Sequence, residues 1–256
     1  MTDDMLAKVR KILAKAEDPA ATAEEAELYT AKAAELIAAY GIDRALLAET
    51  DPGSDVVGDR VIVLDAPYAL DKAGLLGTVA HELRCRAVQR TRYVETGKQI
   101  SLHLFGYDSD LARTELLYTS LLLQATSALT RTPVPPAESP AAFRRSWLAG
   151  FTSAVGRRLR EAEMRAEAGA DAYRGSGPGA GGPATPRPVT ARPVALVLAD
   201  RSRHVESALE QEYPRLRRGQ PRVLSGSGGA SGWRAGQRAD LGGTTLGGRA
   251  RRRIAG

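Results

Sequence analysis

Apolar positions along the first fifty residues recur at helical spacing, and the breaks between them are marked by residues that cap or interrupt helices. Met5, Leu6, Val9, Ile12, Leu13 and Ala16 form one stripe, with Lys8, Lys11 and Lys15 on another face. Thr22-Ala23-Glu24-Glu25 has the form of a capping box, in which hydroxyl and carboxylate reciprocally satisfy backbone donors. It opens a second helix that buries Tyr29, Ala33, Leu36, Ile37 and Tyr40 and stops at Gly41. Asp43 then suits the cap of a short third helix through Leu46 and Leu47.

The pattern changes to period two further on. Arg60–Leu64 reads as a short strand ended by Asp65-Ala66-Pro67. Tyr68–Leu83 returns to helical spacing through Leu75, Leu76, Val79 and Leu83. Cys85–Val94 and Gln99–Phe105 alternate around a Glu95–Lys98 turn, which predicts a β-hairpin broken at Gly106. Asp108 or Asp110 suits the cap of the next helix, whose stripe runs from Leu111 through Leu117, Leu121 and Ala125 to Leu129. Ser139-Pro140 opens a long helix to about Ala168, with Phe143, Trp147, Phe151, Val155 and Leu159 recurring every four residues. Gly/Pro-rich residues 175–193 read as a flexible linker. Val194–Leu198 suits a strand, yet Leu198, Val205 and Leu209 suit a helix ending at Pro214, and the spacing favours the helix. Helical turns around Trp233–Leu241 and a disordered Arg249–Arg253 tail complete the chain.

The resulting expectation is an α+β fold, mostly helical. An N-terminal three-helix unit (1–50) precedes a small antiparallel sheet packed by long helices (56–174), then the linker (175–193) and a basic, partly disordered C-terminal region (194–256). Across 256 residues, 43% hydrophobic content suffices for a core, and 5% aromatic content makes that core mostly Leu, Val and Ala. No apolar run approaches the ~18–20 residues that cross a bilayer, and the acidic N-terminus is unlike a signal peptide. A cytoplasmic protein with no membrane association is expected. Cys85 is the lone cysteine, which excludes an internal disulfide framework and any cysteine pair for a zinc knuckle.

The net charge of +6 conceals an asymmetry. Residues 1–140 carry 15 basic and 21 acidic side chains, whereas residues 141–256 carry 21 basic and 9 acidic. A basic half suits an anionic partner such as nucleic acid, or the chain's own acidic half. No lysine follows residue 98, a bias assigned to coding-sequence composition before function.

Few residues form a pattern that carries chemistry. His81-Glu82-Leu83-Arg84-Cys85 resembles a zinc motif, with His103 as a further ligand if the hairpin folds back. The alternative is that Cys85 is a small buried hydrophobe, and the chain offers little toward the three ligands a catalytic zinc needs. A Walker loop is excluded after residue 98 because it ends in Gly-Lys. Gly177-x-Gly179-x-x-Gly182 lies among prolines with no preceding strand. There is no Gly-x-Ser-x-Gly elbow, and no cofactor is called for. Arg144, Arg145, Arg157, Arg158 and Arg160 surround the aromatic stripe of the long helix and are candidate phosphate contacts, while the aromatics themselves read as core. Gly232 and Gly236, flanking Trp233, suit close helix packing or a turn.

Lys8-x-x-Lys11-Ile12-Leu13-Ala14-Lys15-Ala16-Glu17, followed by Glu25-Ala26-Glu27-Leu28-x-x-x-Lys32-Ala33-x-Glu35-Leu36-Ile37-x-x-Tyr40-Gly41-Ile42, resembles the start of an uncharacterised bacterial and phage family catalogued as a domain of unknown function. The likeness extends to Leu104–Leu111, Phe143–Phe151 and Gly232–Gly236. It implies a helical hairpin domain followed by a small α+β domain, and it supplies no catalytic residues. Together these features favour a non-enzymatic module that binds a macromolecule, with nucleic acid as the preferred partner. The alternatives are a metal-dependent hydrolase using His81, Glu82, Cys85 and His103, or a protein-interaction module.

Overall fold

Three strands, β1 (Val57–Leu64), β2 (Arg86–Val94) and β3 (Gly97–Tyr107), pair antiparallel in the order β1-β3-β2. The computed structural model describes residues 23–95, 97–175, 192–217, 219 and 222–239. Among the described residues there are six helices: α1 (Ala23–Thr50), α2 (Ala69–Glu82), α3 (Asp108–Thr130), α4 (Pro140–Gly175), α5 (Val194–Glu212) and α6 (Gly229–Arg238). The fold is α+β and mostly helical. The first predicted helix, the Thr22 capping box, the side chains of Tyr29 and Ala33, residues 176–191 and the 249–253 tail lie outside the described residues. No described helix is long and apolar enough to cross a membrane.

Alternation in β3 explains why this strand is central. Ile100, Leu102 and Leu104 join the core formed with α2, α3 and α4, whereas Phe105 and Tyr107 pack with Val88, Val205 and Leu209 beneath α5. Every residue from Ile100 to Tyr107 is therefore buried. The predicted break at Gly106 does not occur. Gly106 makes room for the Cys85 sulfur, which lies 2.6 Å from where a Cβ would stand, and the strand continues to Tyr107. The strand-or-helix ambiguity at residue 194 resolves as helix.

The predicted stop at Gly41 and cap at Asp43 are also absent, because α1 runs unbroken to Thr50. Gly41 serves the neighbour instead. A Cβ there would overlap the guanidinium of Arg113, which is fully buried and donates to the Ile37 carbonyl at 2.9 Å. The glycine is a notch in the helix surface that admits a cation.

Arg113 is one member of a buried chain of alternating charge. Asp55 accepts from Arg201 at 2.7 Å, and Arg201 also reaches Asp110 at 3.3 Å. Asp110 accepts from Arg113 at 2.6 Å, and Arg113 donates to Glu163 at 2.9 Å. Glu163 closes the series with Arg84. Burial by itself would lower the Arg113 pKa, but Glu163 and Asp110 outweigh it and hold the group above its usual value. Asp110 is therefore a buried ion-pair member and not the helix cap that its position suggested, and no side chain of residue 107 caps α3. The cap comes from Asp55, whose carboxylate accepts from the Ser109 amide at 3.1 Å and its hydroxyl at 2.7 Å.

α6 lies backbone to backbone on α4. A Cβ at Gly228, Gly232 or Gly236 would overlap or crowd the carbonyls of Phe143, Trp147 and Phe151, so a four-residue repeat of glycine meets a four-residue repeat of α4 backbone. Arg158 fastens the far end by donating to the carbonyls of Gly236 and Gln237, at 2.9 and 2.8 Å, and of Ala239.

An interior glycine-to-alanine change ordinarily stabilises a helix by about 1 kcal/mol. Gly41→Ala is expected to do the reverse and cost about 1–3 kcal/mol in urea unfolding, because the added methyl overlaps Arg113.

Candidate functional site

α2 and α4 cross closely where Thr78 meets Gly156, with the Thr78 methyl 2.6 Å from where a Gly156 Cβ would stand. Around this crossing small side chains leave a groove of about 870 Å³ between the helices. Gly74, Thr78 and His81 line it from α2; Thr152, Ser153, Arg157 and Arg160 line it from α4. Arg222, Leu224 and Trp233 form a third wall. Gly74 has no atom within 4 Å of a would-be Cβ, so a side chain there would grow into the groove.

The charges are arranged asymmetrically. Glu82 and Asp71 are nearly buried along the walls, with 7% and 5% of their side chains exposed, while their partners Arg160 and Arg222 are 59% and 40% exposed. Arg160 gives two of its five donors to Glu82, one bond being 3.1 Å, and Arg222 gives one to Asp71 at 2.9 Å. Buried carboxylates thus orient the guanidinium groups while the arginines form the accessible surface. The Glu82 hydrogen bonds and charge hold the Arg160 pKa above its usual value. Arg157 is half exposed, stands 3.8 Å from Glu161, and sits over the Trp233 indole at 5.1 Å from its centre.

Arg157 and Arg160 lie in the groove. Arg145 is exposed nearer the start of α4, and with Ala149, Ser153, Gly156 and Arg160 it follows a spacing of three and four residues that continues the groove's stripe. Arg144 is exposed on another side of the helix. Arg158 is turned into the protein, where it holds the end of α6. Phe143, Trp147 and Phe151 are core, with Trp147 and Phe151 stacked at 5.5 Å, and present no face to a base.

His81, Cys85 and His103 lie in different surroundings. His81 is exposed at the groove. The Cys85 sulfur is buried 3.6 Å from the Thr114 hydroxyl. His103 is on the sheet face beneath α5, with Nε2 2.8 Å from Asp59 and Nδ1 2.7 Å from the Tyr213 hydroxyl. No group of three or more potential metal ligands forms among the described residues. Glu82, the carboxylate beside His81, is held by Arg160.

Asp71, Arg222 and Trp233 were not singled out for the groove by the sequence reading. The readable signal is the small or polar series Gly74, Thr78 and His81 on the side of α2 opposite its apolar stripe, which leaves space facing Gly156 of α4. Arg222 lies in an irregular segment with no periodicity to place it.

Ile37 and Gly41, the residues of α1 that receive Arg113, fall within a segment shared with other proteins. Residues 4–44 match DUF2786, a protein family of unknown function. The DUF2786 segment ends at Arg44, just past the notch that admits Arg113, and the groove lies outside it. No curated protein and no solved structure matches the chain.

Burial pushes the Cys85 thiol up to about 12, aided by the nearby Asp110 charge. The thiol is therefore protonated at neutral pH and shielded by the fold. Ellman's reagent is expected to label Cys85 only on unfolding, with labelling and urea-unfolding midpoints coinciding.

Proposed function

We propose that the groove between α2 and α4 binds a polyanionic macromolecule, with nucleic acid the preferred partner. The observation that carries this reading is the division of charge in the groove, with carboxylates buried and arginines outward beside an accessible indole. An outward guanidinium held at its base keeps donors for a phosphate, and its loss of side-chain entropy on binding is reduced. Arg157, Arg160 and Arg222 supply the contacts within the groove, and Arg145 extends them along α4. Thr78, Thr152 and Ser153 add hydroxyl groups that donate to phosphate or base edges. Glu82 is occupied by Arg160, so these groups favour recognition over proton transfer.

Binding to labelled nucleic acid is expected to weaken steeply with salt. Arg157→Glu with Arg160→Glu should weaken it further and reduce the salt dependence by about two phosphate contacts' worth. Gly74→Leu provides a block that leaves every arginine in place, and it should abolish binding while the melting temperature is kept or raised. Salt-independent binding, or binding indifferent to Gly74→Leu, would contradict the proposal.

A further inference from the structure

We infer that the nucleic acid taken by this groove is an unpaired strand, with a base stacked at the Trp233–Arg157 step. This rests on the polyanion reading above and adds the substrate class. The first support is shape. The groove's volume is that of a ligand the size of a nucleotide or two, whereas a duplex keeps its base faces stacked inward, out of reach of an indole, and presents phosphates and base edges alone. The second support is the platform. Trp233 is partly exposed and lines the groove, and the half-exposed Arg157 guanidinium lies over its ring. Indole and guanidinium planes both stack with bases, and stacking tolerates any base because each has a π face.

The platform is also rigidly seated. Trp233 follows Gly232, whose missing Cβ lets α6 rest on the Trp147 carbonyl. Arg158 holds the carbonyls at the end of the same helix. Arg158 is thus a positioning residue for the ring, not a phosphate contact. Arg160 stands on the same α4 surface as Arg157, where it meets the phosphate adjoining a stacked base.

The chain has two tryptophans, and Trp147 is fully buried, so quenching by an oligonucleotide reports on Trp233. The full chain is titrated with oligothymidylate and with a duplex of equal length, following fluorescence and fluorescence anisotropy across a salt series. The expected result is quenching by the single strand and an affinity about tenfold above that for the duplex. Trp233→Leu should abolish quenching and bring single-strand affinity down to that for the duplex, and Trp233→Phe should restore most of the preference. Equal, salt-dependent binding of both forms without quenching would overturn this inference and leave the polyanion reading standing. Binding of neither form would overturn both.

Discussion

A guanidinium with no access to water sets the terms for the rest of this structure. Arg113 is fully buried, and an isolated charge in that position would cost several kcal/mol. It is tolerated because Asp110, Glu163 and the Ile37 carbonyl surround it. Those partners come from α3, α4 and α1. Each partner carboxylate passes the requirement on, since Asp110 needs Arg201 and Glu163 needs Arg84. The charge series therefore links α1, α3, α4 and α5 with the Asp55 loop and the end of α2. No packing of apolar side chains would impose so strict a register, because apolar contacts are non-directional and these hydrogen bonds are not. Arg84 takes left-handed backbone angles, with φ of 65°, where glycine is usual. Its pairing with Glu163 gives that position a reason to keep a side chain.

The groove uses the same chemistry with the opposite exposure. In the interior, arginine and carboxylate are both removed from solvent and neutralise one another. At Asp71 and Glu82 only the carboxylates are withdrawn, and Arg222 and Arg160 remain at the surface. The first arrangement specifies how helices meet, while the second leaves guanidinium groups at the surface of the groove. α4 takes part in both, contributing Glu163 to the interior and Arg160 to the groove.

What could be read in the chain follows from how local each feature is. The β2–β3 hairpin, the long helices and the core role of Phe143, Trp147 and Phe151 are visible as periodicity, because burial of one face leaves a repeat in the sequence. Gly41, Gly106, Asp110 and Arg158 carry no such mark. Each follows a local rule in one dimension, as helix stop, strand break, helix cap or exposed cation. Each is assigned otherwise by a residue far away in sequence: Arg113 at Gly41, Cys85 at Gly106, Arg201 at Asp110 and the α6 carbonyls at Arg158. The groove was half legible. Arg157 and Arg160 stand on a helix whose faces can be drawn, but the indole wall and Arg222 arrive through tertiary packing. DUF2786 covers the α1 side of the Arg113 contact without supplying a role for the groove.

Urea unfolding of Arg113→Met tests the central claim most directly. Methionine fills much of the same space but removes the cation shared by Asp110 and Glu163, leaving Asp110 with Arg201 alone and Glu163 with Arg84 alone. A loss of about 3–5 kcal/mol is predicted, the usual cost of removing one member of a buried pair. A variant within about 1 kcal/mol of the parent would contradict the claim that this buried cation sets the register of the helices.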